Sequence, residues 1–122
     1  MISWSSIIYG DVLSALLAGL LGALAARGHR AAAALTCALG AAVGPIAWNA
    51  ILRATHASQF FHDAPISVMP ASWQDTGSGV FAVAATALLA GLGPLGMLPA
   101  RRTAGYVVLA GVAAFLVDVY LY

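Results

Sequence analysis

Residues 7–26 read IIYGDVLSALLAGLLGALAA. The run carries one charge, Asp11, and is otherwise built from residues that lipid accepts. A helix needs about 20 apolar residues to cross the hydrocarbon core of a bilayer. This stretch meets that length, and three more like it follow at 31–52, 77–98 and 103–122. Two short basic turns, Arg27-Gly28-His29-Arg30 and Pro99-Ala100-Arg101-Arg102, separate the first run from the second and the third from the fourth. Residues 53–76 form the one long connection. Pro45 and Pro94 fall inside the second and third runs, where each is expected to bend its helix.

The composition fits that reading. Hydrophobic residues make up 62% of the chain and charged residues 7%, whereas a soluble domain is about one-quarter charged. Mean hydropathy is +0.95. The four runs use most of the 122 residues and leave no room for a separate soluble domain. The expected fold is therefore a single all-α membrane domain over residues 1–122, with four transmembrane helices in an up-down antiparallel bundle. Lipid excludes open sheet edges and irregular backbone, and turns this short join neighbouring helices.

Several function classes fall away. A net charge of +1 gives no basic patch for nucleic acid. The one cysteine, Cys37, makes no internal disulfide and no cysteine-based metal site; it reads as a small buried apolar residue. Residues 23–27, ALAAR, loosely resemble a signal-peptide cleavage site, but no positive segment precedes the apolar run, so the helix is expected to be retained. There is no phosphate-binding glycine loop after a strand and no nucleophile elbow. The absence of lysine in an alanine- and arginine-rich chain suggests a GC-rich bacterial genome, and so a bacterial inner membrane.

Arginines set the expected orientation. Arg27, Arg30, Arg101 and Arg102 lie in the two short turns, and only Arg53 lies on the opposite side. The positive-inside rule puts both turns in the cytoplasm, and both termini and the long loop outside. Aromatic residues are equally lopsided: Trp4, Tyr9, Trp48, Trp73 and Tyr120 map to the outer half, while Tyr106 is alone in the inner half. The side chains able to do chemistry thus collect toward the outer face. The hexapeptide ALLAGL occurs twice, at 15–20 and 87–92, each time ahead of a basic turn, as a duplicated helical hairpin would place it; chance in so Ala- and Leu-rich a chain is the alternative.

Small residues recur every four positions: Ser14, Ala18, Gly22 and Ala26 on the first helix, Thr36, Gly40 and Gly44 on the second, Ala110 and Ala114 on the fourth. In lipid this spacing lets helix backbones approach closely. The faces are expected to pack within the bundle, or else against partner helices. Asp11 shares the face of Ser14 and Gly22, and Asp118 that of Ala114 and Ala110. Carboxylates in a spanning helix usually face the bundle interior and find partners; the other reading is that both snorkel to water. Asp11 is near a helix amino terminus, where the dipole favours a negative charge; Asp118 is near a carboxyl terminus, where it does not. Asp118 is accordingly expected to pair with Arg53 or to carry a proton. Asp11, Asn49, Arg53 and Asp118 form the candidate intramembrane polar cluster.

Asn49, Arg53 and His56 would share one stripe if the second helix continued past residue 52. His56, His62 and Asp63 are candidate ligands for zinc or copper, although a six-residue separation of the histidines is no recognised metal spacing. Phe60, Phe61 and Trp73 read as anchors of a loop lying on the outer leaflet, covering the bundle mouth or docking a neighbouring subunit. Three functions stay open at this level. The first is a non-catalytic subunit of a larger membrane complex or a self-associating homo-oligomer. The second is a small oligomeric proton- or cation-coupled transporter using Asp11. The third is an outer-face metal-handling protein using His56, His62 and Asp63.

Overall fold

A computed structural model describes residues 3–26, 28–56, 71–93 and 99–120. These form four helices: α1 (Trp4–Ala25), α2 (Arg30–Ala54), α3 (Trp73–Leu92) and α4 (Ala100–Tyr120). All four are long and apolar enough to cross a membrane. The shortest, α3, has 20 residues, about 30 Å at 1.5 Å per residue, which matches the hydrocarbon core.

Local chemistry sets the helix ends. The Ser3 hydroxyl accepts the backbone N–H of Ser6 and caps α1. His29 precedes α2 with φ of 52°, a left-handed residue that turns the chain sharply between α1 and α2. Arg30 Nε donates back to the Ala26 carbonyl at 3.4 Å, placing a cation at the negative end of α1. Pro45 sits inside α2 and denies the Ala41 carbonyl its usual donor; the chain nonetheless stays helical through it.

Helix ends depart from the sequence expectation by up to six residues, the largest at α3, which stops at Leu92 ahead of Pro94, and two of the departures bear on the site. Helix α3 begins at Trp73, inside the span read as loop, because Ser72 and Asp75 make a reciprocal capping box. The Asp75 N–H donates to Ser72 Oγ at 3.2 Å, and the Ser72 N–H to Asp75 Oδ2 at 2.9 Å. At the other side of the connection, α2 stops at Ala54. The Thr55 hydroxyl folds back onto the Ile51 carbonyl at 2.9 Å, and His56 takes a φ of 54°. His56 is therefore off the helix and exposed, and the stripe expected through Asn49, Arg53 and His56 ends at Arg53. Phe60, Phe61, His62, Asp63 and Pro94 lie outside the described residues.

The bundle is built inside out relative to a soluble protein. On α1 the buried positions are Ile7, Gly10, Asp11, Ser14, Ala18 and Gly22, while Leu16, Leu20 and Leu24 are exposed. The same division holds on α2, where Gly40, Ala41 and Gly44 are buried and Leu35, Leu39 and Val43 exposed. Large apolar side chains on the outside are unfavourable in water and ordinary in lipid, where they cover the hydrocarbon-facing surface. Both copies of ALLAGL follow the pattern: Ala18 and Ala90 are fully buried, and Leu16, Leu20, Leu88 and Leu92 face outward.

Glycines bring the helices together. A Cβ at Gly40 would collide with the Thr86 side chain, and one at Gly44 with the backbone of Phe81 and Ala82. Between α1 and α2, Gly22 lies against Ala33 and Cys37; between α3 and α4, Gly79 lies against Gly111 and Phe115. Helix α1 also packs on α4, and α2 contacts α4 across the middle.

Candidate functional site

Polar side chains gather at the end of the bundle that carries Trp4, Arg53, Ser72 and Tyr120. The capping box starts α3 early enough to put Gln74, the second residue of the helix, on its inner face. Gln74 is buried among Asn49 of α2, Ser78 of its own helix and Asp118 of α4. Its Nε2 lies 3.2 Å from Asn49 Oδ1, 3.3 Å from Ser78 Oγ and 3.1 Å from Asp118 Oδ2. An amide nitrogen carries two hydrogens, so three acceptors compete for them. Asn49 is itself oriented by donating Nδ2 to the Pro45 carbonyl at 2.9 Å.

Aromatic groups roof the cluster. Trp48 Nε1 donates to the Gln74 carbonyl at 3.0 Å, and its ring meets Phe81 at a centroid distance of 5.0 Å, tilted by 32°. Gly77 allows this, since a Cβ there would enter the Trp48 indole. The Arg53 guanidinium lies 5.0 Å over the Trp4 ring, joining α2 to the start of α1 by a cation–π contact.

Asp11 occupies the α1 side of this end. It is 4% exposed, and neither carboxylate oxygen has a hydrogen-bond partner among the described residues; the Ser14 hydroxyl, one turn on, is likewise buried and unpartnered there. Asp118 lies within electrostatic reach of Asp11. Asp11 and Asp118 are thus both buried at this end of a mostly apolar bundle, near enough to interact electrostatically. Coulomb repulsion between such groups is relieved when a proton or a cation enters between them.

Of the residues singled out from sequence, Asn49 and Asp118 meet through Gln74, Asp11 is close to Asp118, and Arg53 stacks on Trp4. Gly22, Gly40 and Gly44 lie at helix contacts inside the chain. Trp73 is the first residue of α3 and 69% exposed. His56 is exposed beyond α2, while its proposed co-ligands His62 and Asp63 fall outside the described residues. Among the described residues no three His, Cys, Asp or Glu side chains group as a metal site. Gln74 and Ser78 are the residues that sequence reasoning missed. The signal was present in Ser72-Trp73-Gln74-Asp75, a capping box that moves the helix start ahead of the glutamine. No family model, curated protein or solved structure matches this chain.

Proposed function

We propose that the chain is a multi-pass protein of a bacterial inner membrane that couples proton or cation movement to its buried carboxylate site. Asp11 is the residue that takes up the ion, and Asp118, Asn49, Gln74 and Ser78 shape its surroundings. The observation that carries the reading is a buried Asp11 with neither oxygen hydrogen-bonded among the described residues, beside a second carboxylate. A buried carboxylate costs several kcal/mol unless it is paired or neutralised (about 2 kcal/mol or more). A chain under selection only for tight packing has no reason to keep one in such a place.

The rest of the layout supports this. Successive contacts run in opposite senses along neighbouring helices: Gly40 meets Thr86 while Gly44 meets Phe81, and Gly79 meets Phe115 while Val83 meets Gly111. That is the sense of an up-down antiparallel bundle. Arg30, Arg101 and Arg102 then share one end, in the cytoplasm by the positive-inside rule, and the buried carboxylates lie toward the opposite, outer end. The expectation of a subunit that associates through its small-residue faces draws less support, because Ser14, Ala18, Gly22, Gly40, Gly44, Ala110 and Ala114 are all spent on contacts within the chain.

The test is flux in sealed vesicles. Purified protein reconstituted with an interior pH-sensitive dye should dissipate an imposed proton or sodium gradient faster than empty vesicles. Asp11→Asn should fall to the rate of empty vesicles while keeping helical content. Wild-type protein that moves no ion at any gradient would sink the proposal.

A further inference from the structure

The opposite end of the molecule holds an open cleft unrelated to the carboxylates. It has a volume of about 320 Å³ and lies between the last turn of α1 and the first two turns of α4. Its walls are Ala25, Arg102, Gly105, Tyr106 and Leu109. That volume is about ten times a water molecule's share of liquid and falls at the small end of ligand sites. Gly105 opens the wall, since a Cβ there would meet nothing within 4 Å. Tyr106 is held in place by burial and by Cys37 Sγ, which donates to its backbone carbonyl at 3.6 Å.

Charge tells what fits. Among the described wall residues, Arg102 is the one ionic group. The chain has four acidic residues, and the three that are described, Asp11, Asp75 and Asp118, all belong to the other end. Asp118 is sixteen positions along α4 from Arg102, about 24 Å at 1.5 Å per residue. Asp11 is fourteen positions from Ala25 along α1, about 21 Å. Both separations exceed the screening length of about 10 Å at ordinary ionic strength. Arg30, on the same end, is turned onto the Ala26 carbonyl. Arg102 therefore has no acidic neighbour among the described residues, and it sits beside an apolar wall at the boundary of a spanning bundle.

We propose that this cleft binds the phosphate headgroup of an anionic membrane lipid. The guanidinium of Arg102 holds the phosphate oxygens, a planar fork suited to that group. Leu109, seven positions further along α4 than Arg102, lies deeper and takes the first methylenes of an acyl chain, with Ala25 closing the α1 side. Basic clefts between spanning helices are a recurrent setting for such headgroups. The proposal uses the membrane-spanning reading but none of the ion-coupling chemistry, so either can fail alone.

The experiment is native mass spectrometry of protein released from nanodiscs made of phosphatidylcholine with or without phosphatidylglycerol. Wild-type protein is expected to retain phosphatidylglycerol in preference to phosphatidylcholine, and Arg102→Gln to lose that retention by about tenfold or more. Arg101→Gln, one position away and outside the cleft walls, is the control and is expected to retain the lipid. Equal losses in the two variants would mean a diffuse basic surface and would overturn the site. Equal retention of both lipids by the wild type would overturn it as well. A third arm adds inorganic phosphate alone: binding of phosphate by Arg102 with no retention of phosphatidylglycerol would overturn a lipid as its source.

Discussion

The two ends of the bundle are closed by different forces. At the end holding Asp11 and Asp118, the interior is filled by sizeable side chains, among them Ile7, Leu52, Gln74, Asn49 and Val117, and hydrogen bonds join three helices. At the arginine end, the interior is Ala26, Ala33, Cys37, Ala110 and Ala113 around Tyr106. There Gly22 of α1 comes up against the Ala33 carbonyl and Cys37 of α2, with dispersion as the attraction, and further along Gly44 brings α2 onto the backbone of α3. A lipid-embedded bundle gains little from hiding apolar surface, because lipid is as apolar as leucine. Close packing of small residues is the economical way to hold helices together. The polar end departs from it.

The sharpest way to break this contrast is to disturb the tight approach itself. Gly44→Val places branched carbon against the Phe81 and Ala82 backbone. It should cost about 3 kcal/mol or abolish the folded bundle, read as lost helicity and aggregation in mild detergent. Gly105→Ala, with nothing near its Cβ, should leave stability unchanged or raise it by up to about 1 kcal/mol. Similar behaviour of the two variants would show that α2 and α3 are not in backbone contact.

A smaller effect is expected at the polar end. Gln74→Leu removes the hub that links Asn49, Ser78 and Asp118. Hydrogen bonds between spanning helices contribute about 1 kcal/mol each, so a loss of about 1–2 kcal/mol in detergent unfolding is expected. A more stable Gln74→Leu protein that still moved ions would mean the amide network is dispensable. At the arginine end, the test is coupling. A Cβ at Gly22 would press on Cys37 Sγ and the Ala33 carbonyl. Gly22→Ala should destabilise by about 1 kcal/mol, and by less once Cys37→Ala has removed the sulfur. Strict additivity of the two changes would contradict the contact.

Much of this organisation is legible in the chain. Four apolar runs announce four spanning helices because lipid demands length and tolerates few charges, and the inward faces are marked by small residues at four-residue spacing. The polar cluster is harder to read. Asp11 and Asp118 stand out because a charge in an apolar run is conspicuous, but Gln74 sits in a polar stretch where nothing marks it as buried. Only the cap made by Ser72 and Asp75 turns that stretch into helix. His56 misleads in the opposite direction: helical periodicity continues on paper past Arg53, while the Thr55 hydroxyl and a left-handed backbone end it in space. Side-chain to backbone bonds of this kind decide where periodicity stops counting.

The aromatic imbalance gives the molecule an optical polarity. Trp4, Trp48 and Trp73 all belong to the carboxylate end, one beneath Arg53, one bonded to the Gln74 carbonyl, one exposed. Indole emission therefore comes from a single side of the membrane. An impermeant quencher such as iodide, added to sealed vesicles of known sidedness, would dim the fluorescence only from the side on which that end emerges. Intrinsic light thus reports which way up the protein sits, without a label or an added tag.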